Sequence, residues 1–203
     1  MQCVTVDTGG IQGYVFGSNR LQENIGASHL VAQATCDWVV ETLRTAGTTS
    51  NVTATGVLDD HQCIEQGGID AELIYAGGGN ALVMFRNPTQ AERFTRELST
   101  MALARAPGLQ LHIVVGKPFD WGINSLKQAH ENLAIELAEQ KQAPELSAPL
   151  LGLGVTRPCQ STGLPATGQA NVAGEHYPAH ASIHAKLAAA GSSEWNRQSA
   201  AEQ

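Results

Sequence analysis

One aspartate and two glycine-rich segments hold most of the chemistry this sequence can offer. Asp7 directly precedes Thr8-Gly9-Gly10-Ile11-Gln12-Gly13, and Gly77-Gly78-Gly79-Asn80 forms a second such segment far along the chain. Glycine lets main-chain N–H groups approach a phosphate closely. An ordinary hairpin uses the same Gly and Asn residues, because both tolerate positive φ. Ser18-Asn19-Arg20 suits either a phosphate at a helix N-terminus or plain N-capping. Ser28 is a small residue expected on a buried helix face, where it leaves room for a nucleobase or for close packing. Asp59-Asp60-His61 reads as a solvated turn. His176, His180 and His184 have helical spacing, but Pro178 interrupts it, so an exposed cluster in a flexible tail is expected in place of a metal site. Walker A and GxGxxG loops are absent.

The elements that must position these residues follow from hydrophobic period. Residues 3–16 read as a strand, a glycine bend and further extended chain. A long helix is expected next, with Leu21, Ile25, Ser28, Ala32, Cys36, Val39 and Leu43 on one face and a stop near Ala46-Gly47. Asn51 to Leu58 is rich in β-branched residues and reads as a strand. Ala71–Ala76 and Ala81–Phe85 form a hairpin about Gly77–Asn80. Pro88 opens a helix buried through Ala91, Phe94, Leu98, Met101 and Ala102, and Leu109–Val115 is the next strand. A third helix runs from about Asn124 to Gln142 with Leu126, Ala129, Leu133 and Leu137 on one side. Leu150–Val155 reads as an added strand, Cys159–Gln169 as loop and 179–190 as helix. The last dozen residues are small and polar, so the ending reads as an excised or frayed continuation.

With the Asn51–Leu58 strand set aside, the order β-α-β-β-α-β is the split βαβ pattern of ferredoxin-like domains. In that pattern the end of the first strand lies beside the hairpin of the second and third, so the two glycine-rich loops should converge. The expected fold is α+β, a ferredoxin-like palm with an antiparallel sheet, an extra helix and a Gly/Pro-rich C-terminal extension. The domain division is 1–145 for the palm-like part and 146–203 for the extension.

With 42% hydrophobic and 15% charged residues over 203 positions, the chain can bury a core of its own. Its formal charge of −7 lacks the positive field that long nucleic acids require. No stretch has the ~20 apolar residues of a membrane span, and the N-terminus has no signal-peptide pattern. The four scattered cysteines read as reduced thiols, which places the protein in the cytoplasm.

Three segments in this order, residues 6–16 (VDTGGIQGYVF), 21–28 (LQENIGAS) and 74–80 (IYAGGGN), resemble one family. It is the palm domain of the large polymerase-like subunit of type III CRISPR complexes, related to GGDEF and nucleotide cyclases. The resemblance covers about residues 3–120 and extends weakly to 150–168. It implies a palm that binds ATP with Mg²⁺ or Mn²⁺ and, in active members, joins nucleotides into cyclic oligoadenylates. Asp7 matches the metal-binding aspartate of the first strand, and Gly77-Gly78 match the hairpin glycines. Gly79-Asn80 stand where active members have acidic residues, so independent nucleotidyl transfer is not expected. Gly10-Ile11-Gln12 and the hairpin are closer to the family's non-catalytic palm. Arg157–Ala166 is similar to the zinc motif between two such palms, with Cys159 kept and Thr162 in place of a second cysteine.

The expected function is therefore a catalytically degenerate nucleotide-binding palm of an antiviral defence or nucleotide-signalling protein. Nucleotide binding falls to Asp7, Gly9, Gly10, Ser28, Gly77, Gly78, Gly79 and Asn80, with Asp7 as the one metal ligand. The expected partners are an ATP-like nucleotide and a second palm domain or partner subunit. Two alternatives are an active cyclase with a reduced metal set and a structural protein-interaction module.

Overall fold

The computed structural model describes residues 1–45, 47–122, 125–142 and 154–192. They fall into two compact units, each assembled from separated segments.

The first unit comprises Met1–Gly9, Ala32–Ala102 and Gln110–Ala143. Its centre is a four-stranded antiparallel sheet of β1 (Gln2–Gly9), β2 (Ala71–Gly77), β3 (Asn80–Phe85) and β4 (Gln110–Val115), in the order β2-β3-β1-β4. Sequential strands two and three pair as a hairpin while β1 lies between β3 and β4, which is the ferredoxin-like order. The α+β expectation holds. Strand residues alternate between faces, and the sheet is buried on both. Phe85 meets Phe94 of α4 (Pro88–Arg105) with ring centroids 5.3 Å apart. On the opposite face Cys3, Leu82 and Met84 pack with Ile64, Ile69 and Leu133, the last from α5 (Ser125–Gln142). The hairpin, the Pro88 start of α4 and the α5 stripe are as expected. The start at Asn124 lies outside the described residues.

Other expectations change. The segment Asn51–Leu58 is not a strand. It makes only isolated bridges, Ser50 with Ala71 and Val52 with Leu58, and turns at Gly56 with φ +84°. The Asn51 amide explains why. Its Nδ2 donates to the Leu73 carbonyl at 3.1 Å and its Oδ1 accepts from the Leu73 N–H at 2.8 Å. One side chain thereby satisfies the Leu73 backbone groups on the β2 edge, which a neighbouring strand would have paired.

The second unit comprises Gly10–Val31, Leu103–Leu109 and Pro144–Gln203. Residues 11–16 are helical, not extended: α1 (Ile11–Phe16) follows Gly10, which takes φ +57°. Ile11, Tyr14 and Val15 have i, i+3, i+4 spacing, which fits a helix as well as a broken strand. The single long helix is two, α2 (Leu21–Thr35) and α3 (Asp37–Thr45), separated at Cys36. Helix α3 stops at Thr45 and Gly47 takes φ +66°, as the glycine suggested, while Ala46 is outside the described residues.

The buried face of α2 also differs. Leu21 is 66% exposed and Ser28 is exposed, whereas Glu23, Gly26, Ala27 and Leu30 are buried. The reason is Gly26, whose missing side chain lets the helix touch the backbone of α6 (Ala181–Ser192). A Cβ there would lie 1.7 Å from the Lys186 carbonyl oxygen.

Within 159–179 the sequence reading lacked a hairpin. Strands β5 (Gly168–Val172) and β6 (Glu175–Ala179) pair antiparallel and, with α6, enclose Cys159, Ala170, Tyr177, Ala179 and Ile183. The reading of Cys159–Gln169 as loop therefore holds only to Thr167. His176 lies on β6 and His184 on α6, so the three histidines share no helix. Of the strand expected at Leu150–Val155, residues 150–153 lie outside the described residues, and Val155 is 92% exposed. The last dozen residues lie almost wholly outside them.

Candidate functional site

Antiparallel register sets out the candidate site of the first unit. Asp7 pairs with Asn80 of β3 on one side and with His112 of β4 on the other, and Asn80 pairs with Gly77 of β2. The four residues form one row across the end of the sheet. Asp7, Asn80 and His112 therefore project from the same face, the one that α5 covers. The turn between β2 and β3 is Gly78-Gly79, with φ +64° and +89°. These angles are those of a primed hairpin turn, which requires positive φ at both positions. Space around added Cβ atoms at Gly77 and Gly78 is open, so backbone angle and not crowding selects glycine there.

The turn is fastened to β1. The Gly79 carbonyl accepts from both the Thr8 N–H, at 3.0 Å, and the Thr8 hydroxyl, at 2.9 Å. Gly9 serves a different purpose. A Cβ on it would lie 2.4 Å from Nε2 of His112, so its bareness is what admits the imidazole.

The central contact is an ion pair. Lys141, in the last turn of α5, places Nζ 2.7 Å from Oδ1 of Asp7. The two side chains are 37% and 19% exposed, so the pair is half-sheltered at the rim of the sheet. A β-bulge between Leu73 and Tyr75 changes the phase of β2 and turns Tyr75 to the Asp7 side of the sheet. Burial and the Asp7 charge push the Tyr75 phenol above its usual range.

The residues present do not fit the pair of divalent cations that an active palm would hold. Asp7 is the one carboxylate in the row, and its Oδ1 is engaged by an ammonium group. Asn80 supplies a neutral amide and Gly79 no side chain. Among the described residues no group of three or more His, Cys, Asp or Glu is placed to hold a metal.

Of the residues expected to bind nucleotide, the first unit thus gathers Asp7, Gly9, Gly77, Gly78, Gly79 and Asn80 at one sheet end. Gly10 and Ser28 belong to the second unit, where Gly10 caps α1 and Ser28 is exposed, contrary to the expectation of a buried position. Lys141, His112 and Tyr75 were not singled out from sequence. Lys141 follows Leu133 and Leu137 at four-residue steps and so continues the α5 side turned to the sheet, but a lysine in the last turn of a helix ordinarily faces water.

The second unit has its own polar cluster. Glu23 is 0% exposed; Oε1 accepts from the Tyr177 hydroxyl at 2.7 Å and from the Ser161 hydroxyl at 2.9 Å. Arg20 lies over the Tyr177 ring, 4.0 Å from its centroid, and forms a salt bridge to Glu175 at 2.8 Å. That guanidinium is engaged by a carboxylate, so Ser18-Asn19-Arg20 behaves as a helix start in which Ser18 Oγ accepts from the Arg20 N–H at 3.1 Å. Lys186 is buried, donates to the Tyr14 carbonyl at 2.6 Å and is held below the usual lysine range by desolvation.

Cys159 closes a tight loop: its N–H donates to the Leu164 carbonyl at 2.7 Å and its carbonyl accepts from the Gly163 N–H at 2.9 Å. Burial alone would raise its thiol. The Thr162 hydroxyl and the backbone N–H groups of His180, Thr162 and Ser161 outweigh that and hold it below the usual range.

Among the described residues no helix is long and apolar enough to cross a membrane. No protein-family model matches the chain, and no curated protein matches it. Among solved structures it is similar to a Csm1–Csm4 cassette in crystal structures of the apo form, of the complex with cA4 and of the complex with pppApA. Identities are 16%, 18% and 19%, and the TM-score is 0.47 in each case. Each comparison covers 69% of this chain and 18% of the other, so the chain spans less than a fifth of the length it is compared with.

Proposed function

We propose that this chain is a nucleotide-binding, catalytically degenerate palm-like domain of a CRISPR-type antiviral defence or nucleotide-signalling protein of the cytoplasm. The observation that carries the reading is the row in which Asp7 faces Asn80 beside the Gly78-Gly79 turn, with the Lys141 ammonium on Asp7. The three segments that resemble the CRISPR polymerase palm support it, because two of them meet in that row. Residues 1–145 form the palm-like part and 146–203 its extension. The ligand is ATP-like, carried in solution as its Mg²⁺ or Mn²⁺ complex, and the partner is a second palm or another subunit.

Two-metal nucleotidyl transfer needs cations that bridge carboxylates and phosphates, and this row offers one neutralised carboxylate. Incubation with ATP and Mg²⁺ or Mn²⁺ is therefore expected to yield no linked or cyclic product, while calorimetry registers binding of ATP or a cyclic oligoadenylate. Product that disappears in Asp7→Ala would make the chain an active enzyme instead. A structural module is the second reading, favoured by the positive φ of Gly78 and Gly79, which the turn alone explains. It predicts no heat with any nucleotide.

A further inference from the structure

Resting on the reading of this sheet end as a nucleotide site, we propose that the Lys141 ammonium takes the place of a protein-held divalent cation there, so that ATP is bound through Lys141 with no metal ion on Asp7. Four features of the row support this. The Asp7 carboxylate, the natural metal ligand, is already neutralised at 2.7 Å by Nζ, and a metal ion seated on Asp7 would face a like charge at contact distance. An ammonium carries three donors. Asp7 takes one, and the side chain is 37% exposed, which leaves room for phosphate oxygens to reach the group from solvent. The Gly79 carbonyl, the group in the turn that would repel a phosphate, is held by two hydrogen bonds from Thr8. Around Gly77 and Gly78 the space is open. His112, admitted by Gly9, adds an imidazole to the same row.

The test is calorimetry of the full chain with ATP as the probe, first in EDTA and then in excess Mg²⁺. The expected Kd values agree within about threefold, because the cation is built in. Lys141→Gln should weaken binding in EDTA by about tenfold or more, the scale of a lost charge-assisted hydrogen bond, and Mg²⁺ should now strengthen it because Asp7 is released. Lys141→Arg should retain binding. Thermal melts of each variant separate lost binding from lost folding, and the arginine variant keeps the test decisive if glutamine unfolds the chain. Binding that requires Mg²⁺ in the wild type, or that Lys141→Gln spares, would overturn the metal-free role while leaving a nucleotide site in place. Absence of ATP binding under every condition would instead sink the nucleotide reading and this inference with it.

Discussion

Cys3 shows how burial sets the chemistry of a single residue here. It lies between the sheet and Leu133 of α5 and is 1% exposed. Burial pushes its thiol up to about 11, against a small opposing effect of the N-terminal charge. A raised folded-state value means that the folded form holds its proton where the unfolded thiol loses it. The resulting stability is complete below pH 9 and is lost as pH rises through about 11. Denaturant melts between pH 8 and about 11 should show this decline, and Cys3→Val should flatten part of it. Thiol reagents should leave folded Cys3 unmodified at pH 8, since both access and thiolate are lacking. The same scale separates Gly9 from Gly78. The first is glycine because His112 fills its side-chain position, the second because the turn demands positive φ.

At the scale of elements, the crossing of α2 and α6 is the most demanding contact in the second unit. A Cβ on Gly26 would also lie 2.6 Å from the Lys186 carbonyl carbon and 3.0 Å from the Ala190 nitrogen. Backbone atoms cannot rotate away as a side chain does, so the helices must separate. Gly26→Ala should cost about 3 kcal/mol, near the upper end for overpacking, and lower Tm by about 6–12 °C. A melt unchanged within about 1 °C would mean that the crossing is looser than the structure has it. Sequence periodicity could not have located this face. It follows apolar residues, and the face that is buried here carries Glu23, whose Oε1 accepts from Tyr177 and Ser161, and Gly26, which meets the α6 backbone. The strand expected at Asn51–Leu58 failed for a related reason: a side-chain amide, not a strand backbone, takes the Leu73 N–H and carbonyl.

For the whole molecule, the charge of −7 governs what it can hold. Long nucleic acids bind by releasing counterions to clustered Lys and Arg, and 12 basic residues against 19 acidic ones leave no such surface in excess. Gel-shift titration of this chain with a single-stranded RNA at about 150 mM salt should show no complex; a salt-sensitive complex in the micromolar range would contradict that.

Residue pattern alone carried the hairpin, the helix opened by Pro88 and the meeting of Asp7 with the Gly77–Asn80 turn, while adding at Asn51–Leu58 a strand that the fold lacks. These rest on local periods and on turn residues, and the register of a sheet carries such patterns across strands. Only the tertiary structure decided that Lys141 sits on Asp7, that His112 fills the space over Gly9, and that Glu23 is buried while Ser28 is exposed. Those contacts join residues far apart in the chain, and an ion pair or a close backbone approach leaves no periodic trace in either partner.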